Sequence, residues 1–296
     1  MTSTSTGRGP DGQLVDGESF IRLGDRVAYW QGDIDRHEQT NVGIVQTDDS
    51  VVVIDANFLE PAQRISTSIT DRDGMRISHV VNTHYHADHS LGNPVYVDAG
   101  ATVIGAAGQR AELLAKGRED AIQQVGKAPP RLYPAMLEFS DSLTFGDSGL
   151  ELVAVGPAHS GADLIGWLPD DRVLFAGDLA VAWDHGNNFS DEDADIEGWI
   201  GALGRCIDLN PRVVVPGHGR LSDAGVLDQQ LGFIVELWQR ALDVATGGVA
   251  EDALTSDSAV AGFVERHAAH AVNAMRFSGM ARSMIAVARR KCAEPQ

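Results

Sequence analysis

The stretch Asn82-Thr83-His84-Tyr85-His86-Ala87-Asp88-His89 holds three imidazoles and a carboxylate in adjacent positions. Both groups lose hydration free energy when buried, so a folded protein keeps such a cluster at the end of an apolar strand only if a cation or a hydrogen-bond network compensates. A divalent metal is the simplest compensation, and the chemistry it brings is activation of water.

The neighbouring residues sharpen this reading. Ile77-Ser78-His79-Val80-Val81 is a short, mostly apolar run leaving the turn Asp73-Gly74, which predicts a buried strand that ends where the cluster begins. On an extended segment alternate side chains share a face, so His84 and His86 are expected to serve one metal. Asp88 and His89 follow as the chain turns, and they are expected to face a second.

Two metals need more donors, because each zinc takes about four or five ligands and keeps a position for water. Three later segments supply them. The apolar run Leu150 to Val155 delivers His159 within Gly156-Pro157-Ala158-His159-Ser160-Gly161. The run Arg172 to Ala176 delivers Gly177-Asp178, and Arg212 to Val215 delivers Pro216-Gly217-His218-Gly219. A lone loop histidine is more often solvated or capping, and an aspartate after glycine is more often a turn residue. It is the repetition, a ligand type after each buried strand with glycine beside it, that argues for one site.

From about Phe20 to Leu221 the chain resembles the metallo-β-lactamase-fold hydrolases: the HxHxDH run, the later histidine, the Gly-Asp after a strand and the Pro-Gly-His-Gly occur in the family's order. The resemblance implies an α/β protein, an αββα sandwich with its metals at one edge between two sheets. Carried over, it implies that His84, His86 and His159 hold one metal, that Asp88, His89 and His218 hold the other, and that Asp178 bridges them. The cofactor expected is zinc, two per chain, with iron or manganese as other occupants. The activity expected is hydrolysis of an ester, thioester, lactone or amide by a metal-bridging hydroxide, with Asp88 orienting that hydroxide and carrying a proton. An aspartate at position 178 resembles the glyoxalase-II-type thioesterases, whereas many β-lactamases of the family carry Cys or Ser there. Val181 stands where the lactonases tend to carry tyrosine. The other readings are an iron-dependent oxidoreductase similar to the persulfide dioxygenases, a β-lactamase, and a non-catalytic binding module, against which the complete ligand set argues.

The elements that must position these residues are legible in outline. Phe20 to Gln31 and Thr40 to Val53 read as antiparallel strand regions, the second broken by the turn Thr47-Asp48-Asp49-Ser50. Pro61 opens a helix carrying Ala62, Ile65 and Ile69, and a polar loop from Asp184 to Asp195 precedes a helix starting near Ile196 with Trp199, Ile200, Leu203 and Ile207 on one face. Ser222 is expected to cap a long helix striped by Leu227, Leu231, Ile234, Trp238 and Ala241, which Gly247-Gly248 ends before further helices run to about Arg290. The expected organisation is a disordered lead over 1–17, the catalytic domain over 18–221 and a helical C-terminal extension over 222–296. Within that extension His267 and His270 read as a polar helix face. On the loop after Asp178, His185 is a candidate substrate contact, with Asn187 and Asn188 beside it; His37 and Trp30 are weaker candidates.

Composition bounds the partners. The 296 residues are 43% hydrophobic and 22% charged, enough for a sizeable core. The polar start lacks the apolar stretch of a secretory signal, and no run reaches the roughly 18 apolar residues of a membrane span, so a cytoplasmic protein without membrane contact is expected. Against 23 basic residues stand 42 acidic ones, a net charge of −19 that repels a phosphate backbone and disfavours nucleic acid as a partner. The partner expected is a small-molecule substrate, and the apolar stripe of the extension is compatible with a homo-oligomer. Cys206 and Cys292 are too few for a disulfide framework and read as bystanders.

Overall fold

Residues 42–54 set the layering of the molecule. Val45, Val52 and Ile54 point to one side of their sheet and Val42, Val51 and Val53 to the other, and both sets are buried, so this sheet is covered on both faces. The computed structural model describes residues 20–36, 39–73, 75–182, 187, 189, 193–267 and 274–293. The first sheet runs in the order β1 (Ile21–Arg22), β2 (Val27–Trp30), β3 (Val42–Gln46), β4 (Ser50–Ile54), β5 (Arg76–Val81), β6 (Thr102–Ala106), β7 (Leu137–Phe139). Strands β1 to β4 form an antiparallel meander, and β4 to β7 are parallel. Parallel neighbours need crossovers. These are α1 (Leu59–Asp73), the pair α2 (Ala87–Ser90) and α3 (Asn93–Asp98), and α4 (Gln109–Val125).

The second sheet is formed by β8 (Ser142–Phe145), β9 (Leu150–Ala154), β10 (Leu164–Leu168), β11 (Val173–Gly177) and β12 (Val213–Pro216), antiparallel except for the parallel pair β11 and β12. Between β11 and β12 the chain forms α5 (Ile196–Asp208), and after β12 come α6 (Gly225–Ala245), α7 (Asp252–Thr255), α8 (Asp257–Arg266) and α9 (Ala274–Ala293). Three apolar layers follow from this order. Tyr29, Val45, Val52, Ile54, Leu152, Leu164 and Phe175 fill the space between the sheets. Ile65, Ile69, Ile77, Val80 and Tyr96 close the outer face of the first sheet under α1 and α3. Ile165, Trp167, Leu174, Trp199, Phe233, Phe277 and Ile285 join the outer face of the second sheet to α5, α6 and α9 in one continuous cluster. The arrangement is the expected αββα sandwich with additional C-terminal helices.

Several local expectations hold and one does not. Pro61 sits in the first turn of α1, and α5 begins at Ile196 with Asp195 as its N-cap, accepting from the Gly198 amide at 2.9 Å. Ser222 does not cap α6. Its backbone exchanges two hydrogen bonds with Val214, continuing the edge of β12, and Asp223 instead accepts from the Gly225 amide at 2.8 Å. Cys206 lies buried in α5, where burial pushes its thiol up to about 12, and Cys292 is exposed. Among the described residues no helix is long and apolar enough to cross a membrane.

Candidate metal centre

Five of the seven expected ligands lie in the loops that follow strands, and Asp88 and His89 lie in the short helix after β5. The chain does not stay extended after β5: it bends over Thr83 to Tyr85 and then forms the single turn α2. His84 and His86 still converge, but through different ring nitrogens, with His84 Nε2 3.0 Å from His86 Nδ1. Strand alternation therefore does not explain their common direction; the bend does. His159, carried by the loop after β9, brings its Nε2 to 3.0 Å from the same His86 Nδ1. Asp88 and His89 lie in α2, and His218 follows β12. His218 Nε2 stands 3.2 Å from Asp88 Oδ2.

Asp178 lies between the two groups. Its Oδ2 is 3.1 Å from His218 Nε2 and 3.7 Å from His159 Nε2, and its Oδ1 is 3.3 Å from His89 Nε2. Two glycines make the approach possible. Gly177 has φ 51°, and a Cβ there would stand 2.7 Å from Thr83, while a Cβ on Gly217 would overlap Asp178 Oδ1.

The donor atoms fit a cation better than they fit one another. Two imidazole nitrogens can share one proton, so His86 Nδ1, facing two ring nitrogens at 3.0 Å, satisfies at most one of them. His89 Nε2 and Asp178 Oδ1 are buried and face each other without a well-aligned hydrogen bond. Three overlapping sets, His84/His86/His159, His84/His89/Asp178 and Asp88/His89/His218, have donor atoms all within 4.8 Å. Buried polar atoms left unpaired cost about 1–3 kcal/mol each, and a divalent ion among them removes that cost.

Electrostatics separates the two trios. Burial lowers the pKa of His84 well below the usual imidazole value, and neighbouring His89, His86 and His159 lower it further. His159 is pushed down to about 3, first by burial and then by His86. The His84/His86/His159 trio thus includes neutral imidazoles with free lone pairs. Burial also opposes charge on His89 and His218, but nearby carboxylates outweigh it: Asp55, Asp178 and Asp88 hold His89 well above the usual value, and Asp178 and Asp88 raise His218. Conversely, His218 and His89 overcome burial and hold Asp178 well below the usual carboxylate range.

Most of the residues that support these seven side chains carry little signal in the sequence. Asp55, at the end of β4 with φ 63°, accepts from the Thr83 amide at 2.8 Å and stands 2.9 Å from His89 Nδ1. Its signal was available, since it is an acidic residue directly after a buried strand, as Asp178 is. Asp163, which burial pushes up to about 8, accepts from the amides of Ser160 and Ala158 at 2.9 and 3.1 Å and frames the loop of His159. On α4, Asp120 accepts from the Ala87 amide and Glu112 from the Gly161 amide, while Lys116 shares Asp193 Oδ2 with the Tyr85 hydroxyl, each at 2.9 Å. One helix face thus braces two of the three histidine-bearing segments, those of His86 and His159.

Of the other candidates, Asn187 is buried and donates to the Asp178 carbonyl at 2.7 Å, which braces the ligand loop. Trp30 is packed in the core beneath the outer helices. His267, at the end of α8, is 2.8 Å from Glu236 Oε2, remote from the ligands in sequence and in its contacts. His37, His185, Asn188 and His270 lie outside the described residues.

Comparison with known proteins agrees with this geometry. A hydroxyacylglutathione hydrolase of Methylococcus capsulatus is 31% identical over 120 residues, 40% of each chain. A metallo-beta-lactamase type 2 of Bacillus sp. (strain 170) is 24% identical over 195 residues, 64% of this chain and 71% of that one. The chain thus spans well under half the length of the first relative and about seven tenths of the second. Among solved structures, the metallo-beta-lactamase from Pontibacter korlensis superposes with a TM-score of 0.60 at 22% identity, covering 73% of this chain and 98% of that one, a likeness of fold. The family model described as the metallo-beta-lactamase superfamily matches residues 35–218, more than half of the chain and every one of the seven converging side chains; the chain belongs to the metallo-β-lactamase superfamily.

Proposed function

We propose that this chain is a metal-dependent hydrolase with a dinuclear zinc centre. His84, His86 and His159 would hold one ion, Asp88, His89 and His218 the other, and Asp178 would touch both. The observation that carries this is the convergence of imidazole nitrogens that cannot satisfy one another, 3.0 Å from His86 Nδ1 on two sides, beside a carboxylate that reaches both trios. Nitrogen and oxygen donors in this mixture suit zinc, with iron and manganese as competitors.

Bound ions supply Lewis acidity and bring the pKa of an attacking water toward about 7. The chain's own residues do the rest. Asp55 orients His89 by accepting a hydrogen bond from its Nδ1–H, the Gln39 carbonyl does the same for His218 at 3.0 Å, and both histidines direct Nε2 toward Asp178. Asp88 orients the nucleophile and moves a proton between it and the leaving group. In this proposal residues 18–221 carry the chemistry, and the helices of 222–296 support the second sheet from behind.

The bond attacked is an ester, thioester, lactone or amide, with a thioester favoured by the likeness to a hydroxyacylglutathione hydrolase and to the thioesterase pkgB of Emericella nidulans. The likeness to a metallo-beta-lactamase favours a second reading, a cyclic amide. A panel of chromogenic ester, thioester, lactone and cephalosporin substrates, run on metal-loaded protein, distinguishes them. Turnover of none, with two zinc ions bound, would overturn the hydrolase reading.

A further inference from the structure

Three consecutive buried or half-buried residues, Gln39, Thr40 and Asn41, each reach the same side of the centre. The Gln39 carbonyl accepts from His218 Nδ1 at 3.0 Å. The Thr40 hydroxyl donates to Asp88 Oδ2 at 3.2 Å, the oxygen that also stands 3.2 Å from His218 Nε2. Asn41 donates from its side chain to the carbonyls of Pro216 and Gly219 at 2.8 and 3.0 Å and from its amide to Gly217 at 2.8 Å, gripping the loop on either side of His218. The segment is itself held. Asn57 donates to the Thr40 carbonyl at 2.6 Å and the Gly32 amide to Asn41 Oδ1 at 2.9 Å, while Thr40 pairs with His218 through a backbone bridge. Thr40 is 0% exposed.

The first trio has none of these supports. His84 Nδ1 is near the Thr83 hydroxyl at 3.2 Å, and the loops of His86 and His159 are braced from α4. The two halves share the segment from Thr83 to His89 but differ in what else holds them, and residues 39–41 reach the second half alone. We propose that Gln39-Thr40-Asn41 is the positioning device of the Asp88/His89/His218 half, with Thr40 setting the rotation of the Asp88 carboxylate. An ionised carboxylate can only accept, so the hydroxyl is the donor, and it holds Oδ2 where His218 Nε2 also points. Free rotation of Asp88 would spread its oxygens over several directions, and the ion at that half would lose a preorganised donor.

This inference rests on the two-ion reading, and the experiment separates the two. Metal-free full-length protein is titrated with zinc in competition with a chromophoric chelator, and the wild-type chain is expected to bind in two steps. Thr40→Val removes the hydroxyl at nearly constant shape and is expected to weaken one step by roughly 10–100-fold, the usual scale for a residue supporting a ligand, with the other step unchanged. Thr40→Ser restores the hydroxyl and is expected to restore that step. Thr40→Ala, which lacks the hydroxyl and adds no bulk, must show the same selective loss, so a folding defect of the valine variant does not shelter the idea. A stoichiometry of one zinc per wild-type chain removes the two-ion reading and the selectivity with it. Two wild-type steps that survive in Thr40→Val and Thr40→Ala, or that fall together, overturn the proposal alone, because a merely structural threonine does not choose between halves.

Discussion

His89 Nδ1 and Asp55 Oδ2 stand 2.9 Å apart, with the His89 side chain 0% and the Asp55 side chain 4% exposed. The pair joins the end of β4 to α2 and leaves His89 Nε2 directed at Asp178. Asp55→Asn keeps the volume but removes the negative charge that orients the imidazole, and it is expected to lower zinc affinity by about 10–100-fold. Asp55→Ala also strands the Thr83 amide, at a cost of about 1–3 kcal/mol in stability. Chelator competition and thermal unfolding read the two effects, and unchanged zinc affinity in Asp55→Asn would remove Asp55 from the account.

Asp178→Ala is expected to cost far more activity than His267→Ala. Asp178 contacts histidines of both trios, so in the proposed two-ion centre its loss would weaken two coordination spheres and leave two cations less screened. His267 pairs with Glu236 on α6 and should leave metal content and turnover nearly intact. Equal losses in steady-state rate would bring the helical extension into the site.

Asp88→Asn is expected to fold, to bind its ion less well, and to lose kcat by roughly two orders of magnitude, the scale of a removed general acid or base. An amide oxygen is a poorer donor to a cation and accepts no proton near neutral pH. Turnover regained with excess zinc would leave Asp88 as a ligand only.

The tail carries an acid-sensitive contact. Burial opposes charge on Glu236, but Arg266, His267 and Arg240 outweigh it and hold the carboxyl down to about 2. A depressed folded pKa contributes stability that is present above the unfolded value of 4.5 and is lost as pH falls toward about 2. The stability difference between wild type and Glu236→Gln should therefore shrink as pH is lowered from 5 to 3, a window set by those values. A difference that stays constant across that range, followed by denaturant unfolding, would deny Glu236 this role.

The order of ligands was legible because each follows an apolar strand, and strands betray themselves locally through Val, Ile and Leu runs. The direction of His84 and His86 was not, because a bend after β5 replaced the extended segment that alternation assumes. Thr40 and Asn41 carry no local pattern: their partners lie 48, 175 and 178 residues away, and only the fold brings them together. Ser222 had the composition of a cap, but pairing with Val214 claimed its backbone. The stripe of α6 was readable as periodicity, whereas the surface it covers, the outer face of the second sheet, was not.

The central claim is that seven side chains from four segments of the chain hold two metal ions. Elemental analysis of protein purified without added metal, with zinc, iron and manganese counted per chain, tests it most directly. The account predicts about two zinc ions per chain, as two-metal hydrolytic sites hold, falling together with activity when a chelator strips them. One tightly held iron with no zinc, or a chain that takes up no metal from excess zinc, would contradict it.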